Sequence, residues 1–186
     1  MDKKTADRLK EMLQSIYTEE KDNRAQKFLI EVFNRDETKE QDLSELENLL
    51  VTLKEYHPNR LICLFGCGGN RAKSRRYEMG EVSARLADFT VVTSDNPRYE
   101  QPIEIINDIL TGVKKVGGAY VAIPDRKEAI AYCIQHAQKG DVIVLAGKGH
   151  EDYQEIKGQK YHMAERELIQ EVLSERAHTK EGNDGK

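Results

Sequence analysis

No apolar run in these 186 residues approaches the roughly 18 that a membrane span needs, so a transmembrane segment and a membrane partner are excluded. The opening Met1-Asp2-Lys3-Lys4-Thr5 leads into an amphipathic stretch and lacks the hydrophobic region of a secretory signal, which predicts a cytoplasmic location. Basic residues are not in excess: 29 lysines plus arginines face 33 acids, for a net charge of -4. That balance argues against a face built for nucleic-acid phosphates. Cysteines number only 3, too few and too scattered for a disulfide framework or a structural zinc site. Cys63 sits in an apolar run and reads as core; Cys67 reads as a small residue in a tight turn. No histidine, cysteine and carboxylate cluster has metal-ligand spacing, and no fixed-period repeat or low-complexity tract is present.

What the chain does have is alternation of short apolar runs with helical periodicity. Leu9, Met12, Leu13, Ile16 and Tyr17 line one face of an N-terminal amphipathic helix, assigned to an accessory element over 1–25. The main domain is placed at 26–177, and a polar disordered tail at 178–186. Phe28 to Phe33 reads as a strand and Arg35 to Asp42 as a charged loop. Leu43, Leu46, Leu49, Leu50, Leu53 and Tyr56 recur at helical spacing before a stop at His57-Pro58-Asn59. Three strand-helix units follow. Leu61 to Phe65 precedes a Gly-rich basic loop, Gly66 to Arg76, and a helix over Met79 to Ala87. Phe89 to Thr93 precedes a helix with Ile105, Ile106, Ile109, Leu110 and Val113, and Ala119 to Ile123 precedes one over Arg126 to Gln138. Val142 to Ala146 is an unbroken apolar run of the kind buried on both faces. Tyr153 to Ile156 and Gln159 to His162 form a hairpin about Lys157-Gly158, and a last helix covers Glu165 to Arg176. The pattern predicts an α/β domain: a Rossmann-like, mostly parallel sheet with helices on both faces.

Three loops follow three of the predicted strands and should open at one edge of the sheet. They are Gly66-Cys67-Gly68-Gly69-Asn70-Arg71, Asp95-Asn96-Pro97-Arg98 and Gly147-Lys148-Gly149-His150-Glu151. In open α/β sheets, ligands bind at the carboxyl ends of strands. There Arg98 offers a planar fork for a carboxylate and Asp95 a charge for an ammonium, which together suit an amino acid. The bland readings are equally simple. The glycines can serve plain turns, Arg71 can be a solvated charge, and Asp95 can cap the turn that follows it. Neither glycine loop matches a dinucleotide or P-loop fingerprint. His150 has no serine, cysteine or aspartate at a recognisable spacing and reads as structural; His57 and His136 read as surface or helix-end residues.

Taken together, in order and distance, the three motifs resemble the C-terminal domain of the Mur ligase family, of the type that adds meso-diaminopimelate to a nucleotide-linked peptidoglycan precursor. The resemblance runs from about Leu46 to Leu173. It implies that Asn96 and Arg98 bind the distal carboxylate of meso-diaminopimelate and that Asp95, Gly147 and Glu151 hold its distal ammonium. Arg71 would bridge toward substrate or nucleotide. The complete family enzyme uses ATP and magnesium on a central domain whose P-loop these residues do not contain, so this chain alone is expected to bind no cofactor and to have no catalytic residue of its own. The resemblance therefore implies a partner chain carrying a central domain, or a homo-oligomer.

Departures from the family pattern fall on the nucleotide side. Thr38-Lys39-Glu40-Gln41-Asp42-Leu43 stands where the family carries Asp-Tyr-Ala-His-x-Pro. Asn70 and Ala72 replace usual aspartates, and Tyr77 a usual proline. Two other readings stay open: a non-catalytic amino-acid-binding or regulatory module, and an inactive relic of a truncated ligase.

Overall fold

The computed structural model describes residues 28–29, 41–148 and 151–181. The expected N-terminal helix, most of the strand expected from Phe28, and His150 lie outside the described residues. The elements in chain order are β1 (Phe28–Leu29), α1 (Gln41–Lys54), β2 (Leu61–Phe65), α2 (Lys73–Leu86), β3 (Phe89–Val92), α3 (Pro102–Val116), β4 (Tyr120–Ala122), α4 (Arg126–His136), β5 (Val142–Ala146), β6 (Tyr153–Ile156), β7 (Gln159–His162) and α5 (Glu165–Glu181).

The five strands β1-β5-β2-β3-β4 form one sheet in that order, and every pairing in it is parallel. Alternation along β2 divides the core between two layers, because successive strand residues point to opposite faces. Leu61, Cys63 and Phe65 face α1, α2 and α3, burying Leu46, Leu50, Val82, Ile106 and Val113. Ile62 and Leu64 face the other way, onto Ile130 and Ile134 of α4 and Ile169 and Val172 of α5. Burial pushes the Cys63 thiol up to about 12, as befits an inert core residue.

Local chemistry sets the helix ends. Pro102 opens α3, where its missing N–H costs nothing, and Gly117 closes it with φ at 85°. Asp125 caps α4 by accepting from the Glu128 amide at 2.9 Å. Helices α2 and α3 lie close because neither carries a side chain where they cross. A Cβ added at Gly112 would fall 1.9 Å from the Tyr77 carbonyl, and one at Gly80 would fall 2.2 Å from that of Ile109.

Two helix boundaries differ from the sequence reading by more than a turn. Helix α2 begins at Lys73 rather than Met79, because Arg76 and Lys73 turn onto Asp108 of α3 at 2.9 and 3.6 Å, tying the first turn down. Helix α5 runs to Glu181, past the end expected at Arg176 and into the stretch expected as tail.

The topology places the loops. From β2 the chain moves outward through β3 to β4, then returns to lay β5 on the far side of β2. The order therefore reverses between β5 and β2, and the crevice beyond the carboxyl ends of those strands is where doubly wound sheets take ligands.

Candidate functional site

Strands β5, β2 and β3 are neighbours, so their three following loops stand side by side above the sheet. Where the outer two strand ends would splay around β2, an arginine joins them. Arg126, at the start of α4, donates to the Ser94 carbonyl after β3 at 3.2 Å and to the Ala146 carbonyl ending β5 at 3.1 Å. Its guanidinium is paired with Glu165 of α5 at 2.6 Å, and both side chains are buried. The first and last loops touch as well: a Cβ on Gly147, whose φ is 107°, would come within 3.3 Å of the Gly66 carbonyl and 3.5 Å of Asp95 Oδ2. A side chain there would be strained by its backbone and crowded by both neighbours.

Asn96 is the junction of the site. Its Oδ1 accepts from Lys148 Nζ at 2.6 Å and from the Glu155 amide at 2.9 Å, while its Nδ2 donates to Glu151 Oε2 at 2.8 Å. Its backbone carbonyl accepts from the Gly69 amide at 2.8 Å. One buried asparagine therefore ties the Gly-rich loop, the Asp-Asn-Pro-Arg loop, the loop after β5 and the β6–β7 hairpin.

Arg98 lies two residues on, with φ at 53°, a conformation uncommon for a residue with a Cβ. Hairpin pairing holds it there: its amide donates to the Glu155 carbonyl at 3.0 Å and its carbonyl accepts from the Lys157 amide at 2.7 Å. Its guanidinium donates from Nη1 to the Gly69 carbonyl at 2.7 Å and reaches Glu155 Oε2 from Nε at 3.3 Å.

Burial divides these charges into two tiers. The side chains of Arg98, Glu151 and Glu155 keep 20%, 15% and 26% of their exposure, whereas Asp95 and Lys148 keep none. Lys148 Nζ stands 3.4 Å from Asp95 Oδ1 and 3.6 Å from Glu151 Oε2, so the buried charges oppose each other beneath the exposed ones. Desolvation lowers the Lys148 pKa below the ordinary lysine value, against the pull of both carboxylates.

Of the residues named from sequence, Asp95, Asn96, Arg98, Gly147 and Glu151 are brought together. Arg71 is exposed beside Asn70, and the contacts that join the loops do not run through it. Cys67 turns inward, its Sγ 3.6 Å from Met79 Sδ, as its small-residue reading expects. The sequence reading passed over Lys148, Arg126, Arg76, Gln154 and Glu155. Lys148 carried a signal, a lone cation between two glycines just after a fully apolar strand. Arg126 and Arg76 carried none, since an arginine on a helix is ordinarily solvated.

Arg76 is wholly buried and braces the Gly-rich loop from below, through Glu100 at 2.8 Å, Asp108 at 2.9 Å and the Gly68 carbonyl at 3.4 Å. Glu100 in turn accepts from the Asn70 amide. Its hydrogen bond to Arg76 holds the Glu100 carboxyl below its ordinary value, outweighing desolvation, with the Asn70 amide adding to the effect. A lowered carboxylate contributes stability that is present above the unfolded value, about 4.3, and is lost as pH falls through the folded one. Acid titration of the unfolding free energy should therefore decline more steeply below pH of about 4 in the wild type than in Glu100→Gln. Matching slopes would show that this brace carries no weight.

Comparison with known proteins places this architecture. The family described as Mur ligase, glutamate ligase domain, matches residues 41–149, more than half of the chain. The chain belongs to the Mur ligase family. Among its relatives is the UDP-N-acetylmuramoyl-L-alanyl-D-glutamate--2,6-diaminopimelate ligase of Caldanaerobacter subterraneus subsp. tengcongensis, 52% identical over 130 residues, which are 70% of this chain and 27% of that protein. The ligase of the same name from Syntrophomonas wolfei is 50% identical over 129 residues, 69% of this chain and 26% of that protein. This Mur ligase chain thus spans about a quarter of the length of these curated relatives. A solved structure titled as a UDP-N-acetylmuramoyl-L-alanyl-D-glutamate--2,6-diaminopimelate ligase superposes with a TM-score of 0.72 at 34% identity, over 81% of this chain and 30% of that one. The α/β sheet with helices on both faces is therefore the Mur ligase C-terminal architecture expected from the motifs.

Proposed function

We propose that this Mur ligase domain docks meso-diaminopimelate for ATP-dependent addition to a UDP-N-acetylmuramoyl dipeptide. In this reading Arg98 and Asn96 take the distal carboxylate, and Glu151 and Gly147 take the distal ammonium at the rim, with Asp95 adding negative charge from beneath. The carrying observation is the Asn96 junction, which sets a partly exposed guanidinium and partly exposed carboxylates around one fixed amide. A dipolar amino-acid head meets opposite charge at both of its ends there. The names of the relatives, ligases for 2,6-diaminopimelate, support the same choice of amino acid.

ATP and magnesium belong to a central domain in this reading. The part assigned to this domain is to bind and orient the amine. Among the described residues no helix is long and apolar enough to cross a membrane. Calorimetric titration of the purified chain tests the assignment. Strong heat with meso-diaminopimelate and much weaker binding of L-lysine is expected, because lysine has no distal carboxylate for Arg98. A folded chain silent to both ligands would end the assignment.

A further inference from the structure

We propose that Lys148 is a positioning residue for this rim, locking Asn96 and Glu151 in the arrangement that meets the ligand. The inference rests on the amino-acid reading above and adds to it a residue that never touches the ligand.

Three observations carry it. Lys148 is buried in full, so its ammonium cannot itself reach a bound amino acid. Its shortest contacts are with Asn96 Oδ1 at 2.6 Å and the Tyr153 carbonyl at 2.5 Å, while the Asp95 and Glu151 carboxylates stand at 3.4 and 3.6 Å. A lysine serving only as counter-ion to Asp95 would sit closest to that carboxylate. This one sits closest to the amide that organises the rim and to the strand that carries Glu155.

The amide's orientation follows from the donors around it. Lys148 and the Glu155 amide both donate to Oδ1, which leaves Nδ2 facing Glu151. With Lys148 removed, Oδ1 keeps one donor, and Glu151 loses the nearby positive charge that draws it inward. Both rim groups are then free to turn toward solvent. A residue that fixes rotamers in this way acts through preorganisation, reducing the ordering that the ligand must otherwise impose.

The test reads the rim with and without ligand. In nitrogen-15 spectra of the full chain, the Asn96 side-chain amide, identified by its loss in Asn96→Ala, should show two resolved, slowly exchanging protons. In Lys148→Met both protons should stay resolved but exchange rapidly with water, and the dissociation constant for meso-diaminopimelate should rise about tenfold to a hundredfold. Because Lys148→Met removes a cation 3.4 Å from the buried Asp95 carboxylate and can unfold the chain, the same comparison is made between Asp95→Asn and Asp95→Asn/Lys148→Met, a pair without that carboxylate. Loss of amide protection on adding the second substitution supports the proposal. An Asn96 amide equally protected with and without Lys148 overturns it. Failure of the wild-type chain to bind meso-diaminopimelate would defeat the ligand assignment instead, and the amide signals would still decide the role of Lys148.

Discussion

Arg98→Ala is expected to raise the dissociation constant for meso-diaminopimelate about tenfold to a hundredfold, the range that follows from losing hydrogen bonds between charged groups. The same substitution should leave any weak binding of L-lysine where it was. Gly69 and Glu155 engage two donors of the guanidinium, and a guanidinium carries five, so it can bridge the loop and still face a carboxylate. Alanine keeps the Cβ that the left-handed backbone at this position already tolerates, so the loss should register in binding rather than in folding. Arg98→Lys should recover little, because a point charge cannot serve the Gly69 carbonyl and a planar acceptor together. Parallel titrations with both amino acids, beside thermal melts, settle the matter. Equal weakening toward meso-diaminopimelate and lysine would mean that Arg98 does not read the carboxylate.

Arg126→Met should be the most destabilising single change at the site. It leaves Glu165 as an uncompensated buried charge, a defect that costs about 3–5 kcal/mol. It also strips the donors from the Ser94 and Ala146 carbonyls. For a domain of this size each kcal/mol lowers the melting temperature by about 2–4 °C, so a fall of about 10 °C or more is expected. Adding Glu165→Leu should restore part of the loss by removing the stranded charge, but not all of it, since two buried carbonyls remain without their partner. Calorimetric melts of the single and double variants check this. Full recovery in the double variant would show that the strand-end carbonyls owe nothing to the arginine.

The sheet was legible in the sequence because burial on both faces writes it as unbroken apolar runs. Leu61–Phe65 and Val142–Ala146 occupy the expected spans, and the Lys157-Gly158 turn returned the hairpin with its correct ends. The start of α2 was not legible, because its first turn is polar and is held by ion pairs to α3 instead of by apolar spacing. At the site, the residues with motif chemistry, Asp95, Asn96 and Arg98, could be named in advance. Their supports could not. Arg76 and Arg126 are buried charges whose partners lie 24 and 39 positions away, respectively Glu100 and Glu165, and no local pattern marks such a pairing. Lys148 was the exception that its glycine neighbours could have exposed.

The pairing of Arg98 with the hairpin reaches beyond the static picture. Its backbone bridges to Ile156, and Glu155, which shares its guanidinium, alternates along the same strand with Gln154, which donates to the Asp95 carbonyl at 2.7 Å. Register in a two-stranded ribbon depends on turn length, and slipping it by one residue exchanges the faces of every side chain in the strand. A single-codon insertion or deletion at Lys157-Gly158 therefore shifts β7 against β6, while β6 itself stays pinned to the Arg98 amide through the Glu155 carbonyl. That turn can vary in length and leave Gln154 and Glu155 where they brace the Asp-Asn-Pro-Arg loop.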